Sequence, residues 1–300
     1  MKSARLLPLL LCLCIGQALA DTPIQLSHEA SPNARISIGN VAGSVNVIAW
    51  NRNEVQVSGR LGDGSKPLAI TGNRDRLEIK VEAQGGSGWF NWGSDSKMEP
   101  TSLEVHVPKA ASLDIDVVSA PLVVDGTDGG DIEINTVSGK VRINARTPSL
   151  EVNSVSGAIE QAGHAARVEL QTVSGEILAP ALGQEAELQT ISGRIQVAGG
   201  PWRKLSASTV SGNLQLSGGL AADGRIRIDS MSGDVQLQLP ADTSASLHAS
   251  SFSGDLRSDF GSVKQPGRGP GSSLEAQIGS GAGKIDIETF SGDLRVRRRD

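Results

Sequence analysis

The sequence predicts an all-β protein: a parallel β-solenoid, similar to a β-helix, with rungs of about 18–21 residues and an N-terminal β-meander cap. A tetrapeptide ending in Ser-Gly returns at a near-constant spacing, apolar residues alternate around each copy, and no helical run separates the copies. The copies occupy residues 136–139, 154–157, 172–175, 190–193, 209–212, 230–233, 251–254 and 289–292. Their glycines are 18, 18, 18, 19, 21, 21 and 38 residues apart, which is typical of stacked repeats.

Within each rung the apolar residues keep fixed places relative to the glycine. In the first of these copies Ile132 and Ile134 stand seven and five residues before Gly139, and Val141 stands two residues after it. The same places are apolar in the later copies. Alternation of period two is typical of strands with one buried face, so each rung has two strands that meet at Ser-Gly. Successive rungs are then expected to stack about 4.8 Å apart as parallel sheets.

The Ser-Gly corner allows close approach of the backbone above and below, and the Ser hydroxyl can satisfy amides of the turn. The residue two places before the glycine is Val, Val, Val, Ile, Val, Met, Phe and Phe in successive copies. This apolar column is predicted to point into the core. The Thr or Ser before it either faces solvent or forms hydrogen bonds inside, because the alternation is expected to break at the corner.

Residues 1–20 are predicted to be an export signal. Lys2 and Arg5 precede an apolar stretch at 6–15, and a small-residue cleavage site ends at Ala20. The apolar stretch is short for a membrane span, so no transmembrane segment is expected in the mature chain. Both cysteines lie inside the signal, which predicts a mature protein without thiol chemistry. The expected location is the periplasm or another part of the cell envelope.

Residues 21–112 are predicted to form the N-terminal cap region, and residues 113–300 the solenoid repeats. A degenerate rung already stands in the cap at 36–47 and is expected to pair with the first sheet of the solenoid. Short alternating runs follow at 54–57, 68–70, 77–81 and 103–107, and they predict a small meander. A cap is needed because the end rung of a solenoid exposes unpaired backbone and core.

A glycine-rich stretch inside the cap carries Trp89, Phe90 and Trp92 in a chain that is otherwise poor in aromatic residues. These side chains form a candidate binding surface for a partner protein, a glycan or the membrane interface, because Trp combines apolar area with a hydrogen-bond donor. The alternative is that they fold back and plug the end of the solenoid.

A second candidate surface is a row of four glutamates, each six residues before its glycine: Glu133, Glu151, Glu169 and Glu187. In register, these carboxylates form a ladder with neighbours roughly 5 Å apart, which predicts attraction for Ca²⁺ or a basic partner. The alternative is a row of solvated surface residues. The acidic glycine loop at 125–131 also has the oxygen ligands of a Ca²⁺ site, although Asp and Gly equally make turns. No other cofactor is predicted.

The 38-residue gap between the last two glycines contains a segment at 258–273 that is rich in Gly, Pro, Ser and charge. It is predicted to be a flexible excursion that replaces one rung. The last rung runs into three arginines, 297–299. They are either an anionic docking site or charges that protect a terminal edge strand from further stacking.

Composition and spacing argue against several function classes. The net charge of −5 becomes −7 when Lys2 and Arg5 leave with the signal, so the chain has no electrostatic footprint for nucleic acid. The four histidines are scattered, and no Ser-His-Asp spacing, phosphate loop or Cys/His metal pattern is present. The chain is therefore predicted not to be an enzyme; the alternative is a β-helix enzyme acting on polysaccharides. An ice- or crystal-binding surface would need a flat Thr array, whereas Thr here alternates with Ser.

The run GSVNVIAWNRNEVQV at 43–57, the strand LEVHVP at 103–108 and the serial Thr-Val-Ser-Gly rungs together resemble a bacterial family. Its members are domains of unknown function, labelled as adhesins, with a toast-rack β fold. The resemblance covers nearly all of the mature chain and implies a secreted or envelope-located β-solenoid without established catalytic residues. We therefore predict an exported, non-catalytic interaction or structural module of the cell envelope, whose partner is an unknown envelope protein or glycan.

Overall fold

The computed structural model describes residues 22–84, 98–265 and 270–299. All regular secondary structure in these residues is β-strand, and most strand pairs are parallel. The predicted all-β parallel solenoid is therefore confirmed. The expected signal at 1–20 and the aromatic residues Trp89, Phe90 and Trp92 lie outside the described residues.

The described strands are β1 (Thr22–Glu29), β2 (Arg35–Trp50), β3 (Glu54–Leu61), β4 (Ile70–Asn73), β5 (Arg76–Lys80), β6 (Thr101–Pro108), β7 (Ser112–Ser119), β8 (Leu122–Asp128), β9 (Ile132–Thr136), β10 (Val141–Ser154), β11 (Ile159–Thr172), β12 (Ile177–Leu182), β13 (Glu185–Thr190), β14 (Ile195–Thr209), β15 (Leu214–Ser232), β16 (Val235–Pro240), β17 (Ala245–Ser253), β18 (Leu256–Ser258), β19 (Ser272–Ile278), β20 (Gly283–Ser291) and β21 (Leu294–Arg299).

The strands form two ladders that meet at the Ser-Gly corner. In the first ladder, which precedes the corner, the neighbours are β4, β5, β2, β7, β9, β10, β11, β13, β14, β15, β20, β17 and β19. In the second ladder they are β1, β3, β6, β2, β8, β10, β11, β12, β14, β15, β16, β21 and β18. The long strands β10, β11, β14 and β15 run from the second ladder of one rung into the first ladder of the next.

The core lies between the two ladders and is built from the predicted apolar columns. Ile134, Val152 and Leu170 stack directly on one another in the first ladder, and all three are fully buried. Ile177 stacks on Ile195 in the second ladder and is equally buried. Full burial of such a side chain stabilises the fold by about 1.5–3 kcal/mol, so the columns hold the rungs together.

The cap does not form the single meander that was expected. The degenerate rung is present as β2, which pairs in parallel with β7 and β8 as predicted. On its other side β2 pairs with β5 through one half and with β6 through the other half. The remaining cap strands are therefore divided. The β4–β5 hairpin extends the first ladder, whereas the second is extended by β6, which is parallel to β2, and then by β3 and β1, each antiparallel to the strand before it.

The last rung of the chain does not lie at the end of the stack, which corrects the expected order. β20 lies between β15 and β17, and β21 lies between β16 and β18. Such an insertion is possible because the rungs share one register, so that a rung can stack on any other. The arginines at 297–299 consequently pair with β16, and the backbone N–H of Arg298 donates to Asp259 Oδ2 at 2.9 Å.

The segment at 258–273 does more than replace a rung. It leads into β19, which folds back antiparallel on β17 and covers the outer edge of that strand. Near this end Lys264 and Ser273 exchange two backbone hydrogen bonds of 2.8 and 2.9 Å. β19 therefore closes the C-terminal end of the first ladder.

Candidate functional site

The Thr and Ser residues at the start of each tetrapeptide point inward and cap the corner. Their exposed fractions lie between 2% for Ser251 and 7% for Ser154. The Thr190 hydroxyl accepts a hydrogen bond from the backbone N–H of Gly193 at 2.9 Å, and the Ser154 hydroxyl donates to the carbonyl oxygen of Gly157 at 3.0 Å. The whole column is therefore buried, and six of its eight hydroxyls form a hydrogen bond with the corner glycine. The hydroxyls of Thr136 and Thr289 are buried and have no hydrogen-bond partner in the part of the chain that the structure describes.

The next column is exposed, which corrects the prediction that its apolar side chains enter the core. Because the hydroxyl column points inward, strand alternation turns the following residue toward solvent. The exposed fractions range from 41% for Val173 to 59% for Met231. We call this row the apolar stripe; in spatial order it consists of Val137, Val155, Val173, Ile191, Val210, Met231, Phe290 and Phe252.

The apolar stripe runs along the corner of the solenoid and its side chains become larger toward the C-terminal end. At a rung spacing of about 4.8 Å, eight residues extend over roughly 34 Å. The inserted last rung places Phe290 beside Phe252, and their rings stack with centroids 4.8 Å apart and planes 9° apart. The large aromatic end of the stripe therefore depends on the unexpected order of the rungs.

An open groove of about 1520 Å³ follows the stripe from Val173 to Phe252. One wall is the stripe, and the other is formed by outward side chains of the first ladder, including Gln171, Gln189, Asp229 and Glu288. Lys264 and residues 270–273 close its C-terminal end. We call this space the stripe groove. It combines a continuous apolar wall with a polar wall, which is the composition of a binding groove.

The four predicted glutamates lie beside the polar wall. Glu151 is opposite Glu133 on one side and Glu169 on the other, and Glu169 is opposite Glu187. Each of the last three accepts a hydrogen bond from the amide side chain two residues later, for example from Gln189 Nε2 to Glu187 Oε1 at 2.7 Å. The neighbouring amides thus donate to the ladder rather than offering oxygens to a cation.

The acidic row continues toward the cap through Asp114, which lies opposite Glu133. Burial raises the pKa of Asp114, the neighbouring Asp116 carboxylate raises it further, and Arg35 opposes the shift. In the described part of the chain, no group of three or more His, Cys, Asp or Glu side chains is arranged to hold a metal ion. The Ca²⁺ hypothesis for the glutamates, and for the loop at 125–131, remains a prediction.

The row of four glutamates, which we call the glutamate ladder, is expected to reduce the stability of the protein. Replacing Glu151 and Glu169 together by Gln should raise the free energy of unfolding by on the order of 1 kcal/mol at low salt, because repulsion between adjacent carboxylates disappears while an oxygen acceptor remains. The gain should vanish in 1 M salt. Urea unfolding at both salt concentrations measures this gain. In a second experiment, a Ca²⁺-dependent rise in melting temperature that is seen only in the unsubstituted protein would support a cation site.

Glu185→Gln is the matched control for this pair. Glu185 lies on β13 in the first ladder of strands, outside the row of four glutamates. Its carboxylate faces Arg167, with 3.8 Å between Oε2 and Nε. Its replacement removes an attraction, so no gain in stability is expected. Equal gains from both substitutions would contradict repulsion along the ladder.

Trp89, Phe90 and Trp92 lie outside the described residues, in the segment between β5 and β6. Lys80 at the end of β5 lies opposite Gly39, and Thr101 at the start of β6 lies opposite Gly43. Gly43 has the corner position of this rung, and Gly39 lies four residues before it. Whether Trp89, Phe90 and Trp92 form a contact surface or a plug remains a prediction.

Among the described residues, the four histidines and the ion cluster around Glu160 do not line the stripe groove. His28, His106, His164 and His248 lie on β1, β6, β11 and β17, respectively. On the second ladder, Glu160 accepts hydrogen bonds from Lys140 and Arg142, and these bonds lower the pKa of its carboxyl group. This ion cluster is an exposed link between rungs, and it lacks the paired general acid and base of a hydrolase.

The comparisons with known proteins agree with this fold. The model of the family described as Toastrack DUF4097 matches residues 33–297. A "putative lipid binding protein" from Parabacteroides distasonis is similar with a TM-score of 0.53 and 14% identity, over 93% of this chain and 97% of that one. A "putative adhesin" from Bacteroides fragilis has a TM-score of 0.43 and 13% identity, over 93% and 98% of the chains.

At 14% identity, the similarity to the protein from Parabacteroides distasonis supports the fold alone. No curated protein matches the chain. Among the described residues, no helix has the length and apolar character needed to cross a membrane.

Proposed function

We propose that this chain, which belongs to the Toastrack DUF4097 family, is an exported, non-catalytic interaction module of the bacterial cell envelope that binds its partner along the apolar stripe. The observation that supports this function is the concentration of exposed apolar surface in one row. Every large apolar side chain that is exposed in the described part of the chain belongs to the stripe. A continuous exposed apolar surface with polar borders is typical of interaction sites.

The fold itself does not require large apolar side chains at these positions. The columns between the ladders already form the core, and the stripe residues leave about half of their surface in contact with water. Contact with a partner would remove this surface from water and stabilise the complex by roughly 25 cal/mol per Å² before the costs of association. The stripe is thus better explained by binding than by folding.

A lipid is the second candidate for the groove. The apolar wall along a space of about 1520 Å³ can accommodate an acyl chain. A protein with a similar fold also carries a lipid-binding name. This alternative keeps the stripe as the binding surface and changes the class of ligand.

Site-specific crosslinking in the native host tests the proposed function. A photoreactive p-benzoylphenylalanine replaces Met231, which is the most exposed residue of the stripe. We expect ultraviolet-dependent adducts of the full-length protein at this position, in the envelope fraction, on a chain whose mass corresponds to a start at Asp21. The control places the same group at Gln215, an exposed residue of the second ladder. Equal labelling at both positions, or none at Met231, contradicts the proposal.

A further inference from the structure

We propose that the partner held in the stripe groove is a basic amphipathic α-helix, a segment of a protein or peptide that lies along the stripe, across the strands. This inference rests on the proposed function, because it assigns a ligand class to the same surface. Three properties of the groove support it: the spacing of the stripe residues, the charge beside them and the length of the groove.

The spacing of the stripe fits a helix better than an extended chain. Adjacent stripe residues belong to hydrogen-bonded neighbouring rungs, so they repeat about every 4.8 Å. A helix presents an apolar side chain once per turn of 5.4 Å on one face. An extended chain presents one only about every 6.8 Å. An apolar face of a helix can therefore stay in contact with successive stripe residues, whereas a strand loses the match within two rungs.

The charge beside the groove favours a basic partner. Asp229 and Glu288 belong to its polar wall, and Lys264 is the single cation among the described lining residues. Three carboxylates of the glutamate ladder, those of Glu151, Glu169 and Glu187, stand two residues before residues of this wall and on the same outward face. Arg227 continues that row and forms an ion pair with Asp229, with 2.8 Å between Nε and Oδ2. This pair compensates both charges, so Glu288 and the glutamates supply the negative charge of the border. Lys or Arg side chains of a helix can reach both acidic rows.

The same acidic border disfavours two other occupants. A second copy packed stripe to stripe would bring two acidic faces together, and like charges across an interface are costly. An anionic membrane surface would be repelled for the same reason. The charge pattern thus selects a cationic partner, while the apolar wall supplies most of the contact area.

The length of the groove sets the size of the helix. From Val173 to Phe252 the stripe passes through six residues and five rung spacings, or about 24 Å. A helix rises 1.5 Å per residue, so about 16 residues fill the groove. Large helix side chains are expected near Val173 and Val210, and small ones opposite Phe290 and Phe252, so that the two apolar surfaces interlock.

Calorimetric titration with 16-residue peptides tests this inference on the mature protein. The probe is a Leu-Lys peptide with Leu at helical spacing; the comparison peptides replace Lys by Glu, or alternate Leu and Lys with a period of two. We expect the helical Leu-Lys peptide to bind, with a gain in helical circular dichroism. The other two should bind at least about tenfold more weakly. Equal binding of the Leu-Glu peptide, or binding without a gain in helix, overturns the inference.

Two sets of substitutions and one control set locate the binding site. Ile191→Ser, Met231→Ser and Phe290→Ser together should weaken binding at least about tenfold, because they remove the apolar wall. The matched control replaces Gln196, Gln215 and Gln236, a stacked row on the second ladder, by Ser and should leave binding unchanged.

The second set tests the charge beside the groove. Glu169→Gln, Glu187→Gln and Glu288→Gln together should weaken binding about fivefold at low salt and should change it little at 1 M salt. Binding that survives the first set overturns the inference.

Lipid binding is distinguished in the same assay. Vesicles of phosphatidylcholine, vesicles of phosphatidylglycerol and free palmitate replace the peptide. Saturable, stripe-dependent binding of any of these without binding of the Leu-Lys peptide overturns the helix and supports a lipid. If the photoreactive residue at position 231 forms crosslinks in cells while the Leu-Lys peptide does not bind, the ligand class is wrong and the proposed function stands. If that residue forms no crosslinks, the proposed function itself fails.

Discussion

Ile195→Asp is expected to lower the free energy of unfolding by about 4 kcal/mol or more, which is enough to unfold much of the stack. Ile195 is fully buried and lies between Ile177 of the preceding rung and Leu214 of the following rung. A carboxylate at this position would be surrounded by apolar side chains with no cation to pair with. Urea unfolding followed by far-ultraviolet circular dichroism measures the loss.

Gln196→Asp provides the control one residue away. Gln196 is exposed on the same strand, with Leu178 and Gln215 as its neighbours in the adjacent rungs. The substitution places a carboxylate in water, so a change of less than about 0.5 kcal/mol is expected. Similar losses for both variants would mean that the inward and outward columns have been assigned wrongly.

The repeat columns could be predicted because each rung packs against its own copies. Residues such as Ile134, Val152 and Leu170 meet equivalent residues above and below, so a periodic sequence leads directly to a periodic core. The glutamate ladder follows from the same register. These features need no knowledge of contacts between distant parts of the chain.

The expectation that alternation breaks at the corner puts the apolar stripe on the wrong side of the backbone. Continued alternation from Ile132 and Ile134 leads to Thr136 as the next inward residue, and Val137 then points outward. The sequence signal that could have found the site was this unbroken period of two, together with a hydroxyl residue in every copy. In six copies a hydrogen bond between that hydroxyl and the corner glycine holds the alternation in place.

The order of the last rungs could not be predicted from the sequence. Since all rungs share one register, the pattern of apolar residues does not distinguish a neighbour in sequence from a neighbour in space. The 38-residue gap indicated an interruption, yet the pairing of β19 with β17 decides which edge remains free for the last rung. The stacked Phe290 and Phe252, and with them the wide end of the stripe groove, are consequences of that long-range choice.

Gly193→Ala is expected to destabilise the protein by about 3 kcal/mol, although it adds a single methyl group. A Cβ at this position would overlap the backbone carbonyl of Gly175 in the preceding rung and would lie 2.8 Å from Thr190 Oγ1. The backbone of Gly193 lies outside the left-handed region, so the cost comes from the close approach of two rungs and not from its own conformation.

The clash cannot be relieved locally because the same approach recurs along the corner. Gly157, Gly175, Gly212 and Gly233 each lie equally close to a carbonyl of the preceding rung, so moving one rung aside would displace the next. Gly219→Ala is the control: its nearest neighbour would be Pro240 Cγ at 3.8 Å, and its backbone also lies outside the left-handed region. We expect the control to be neutral or slightly stabilising, since Ala reduces the entropy of the unfolded chain. Thermal unfolding of both variants measures the difference, and a Gly193→Ala protein as stable as the control would show that the corner glycines are not required for close stacking.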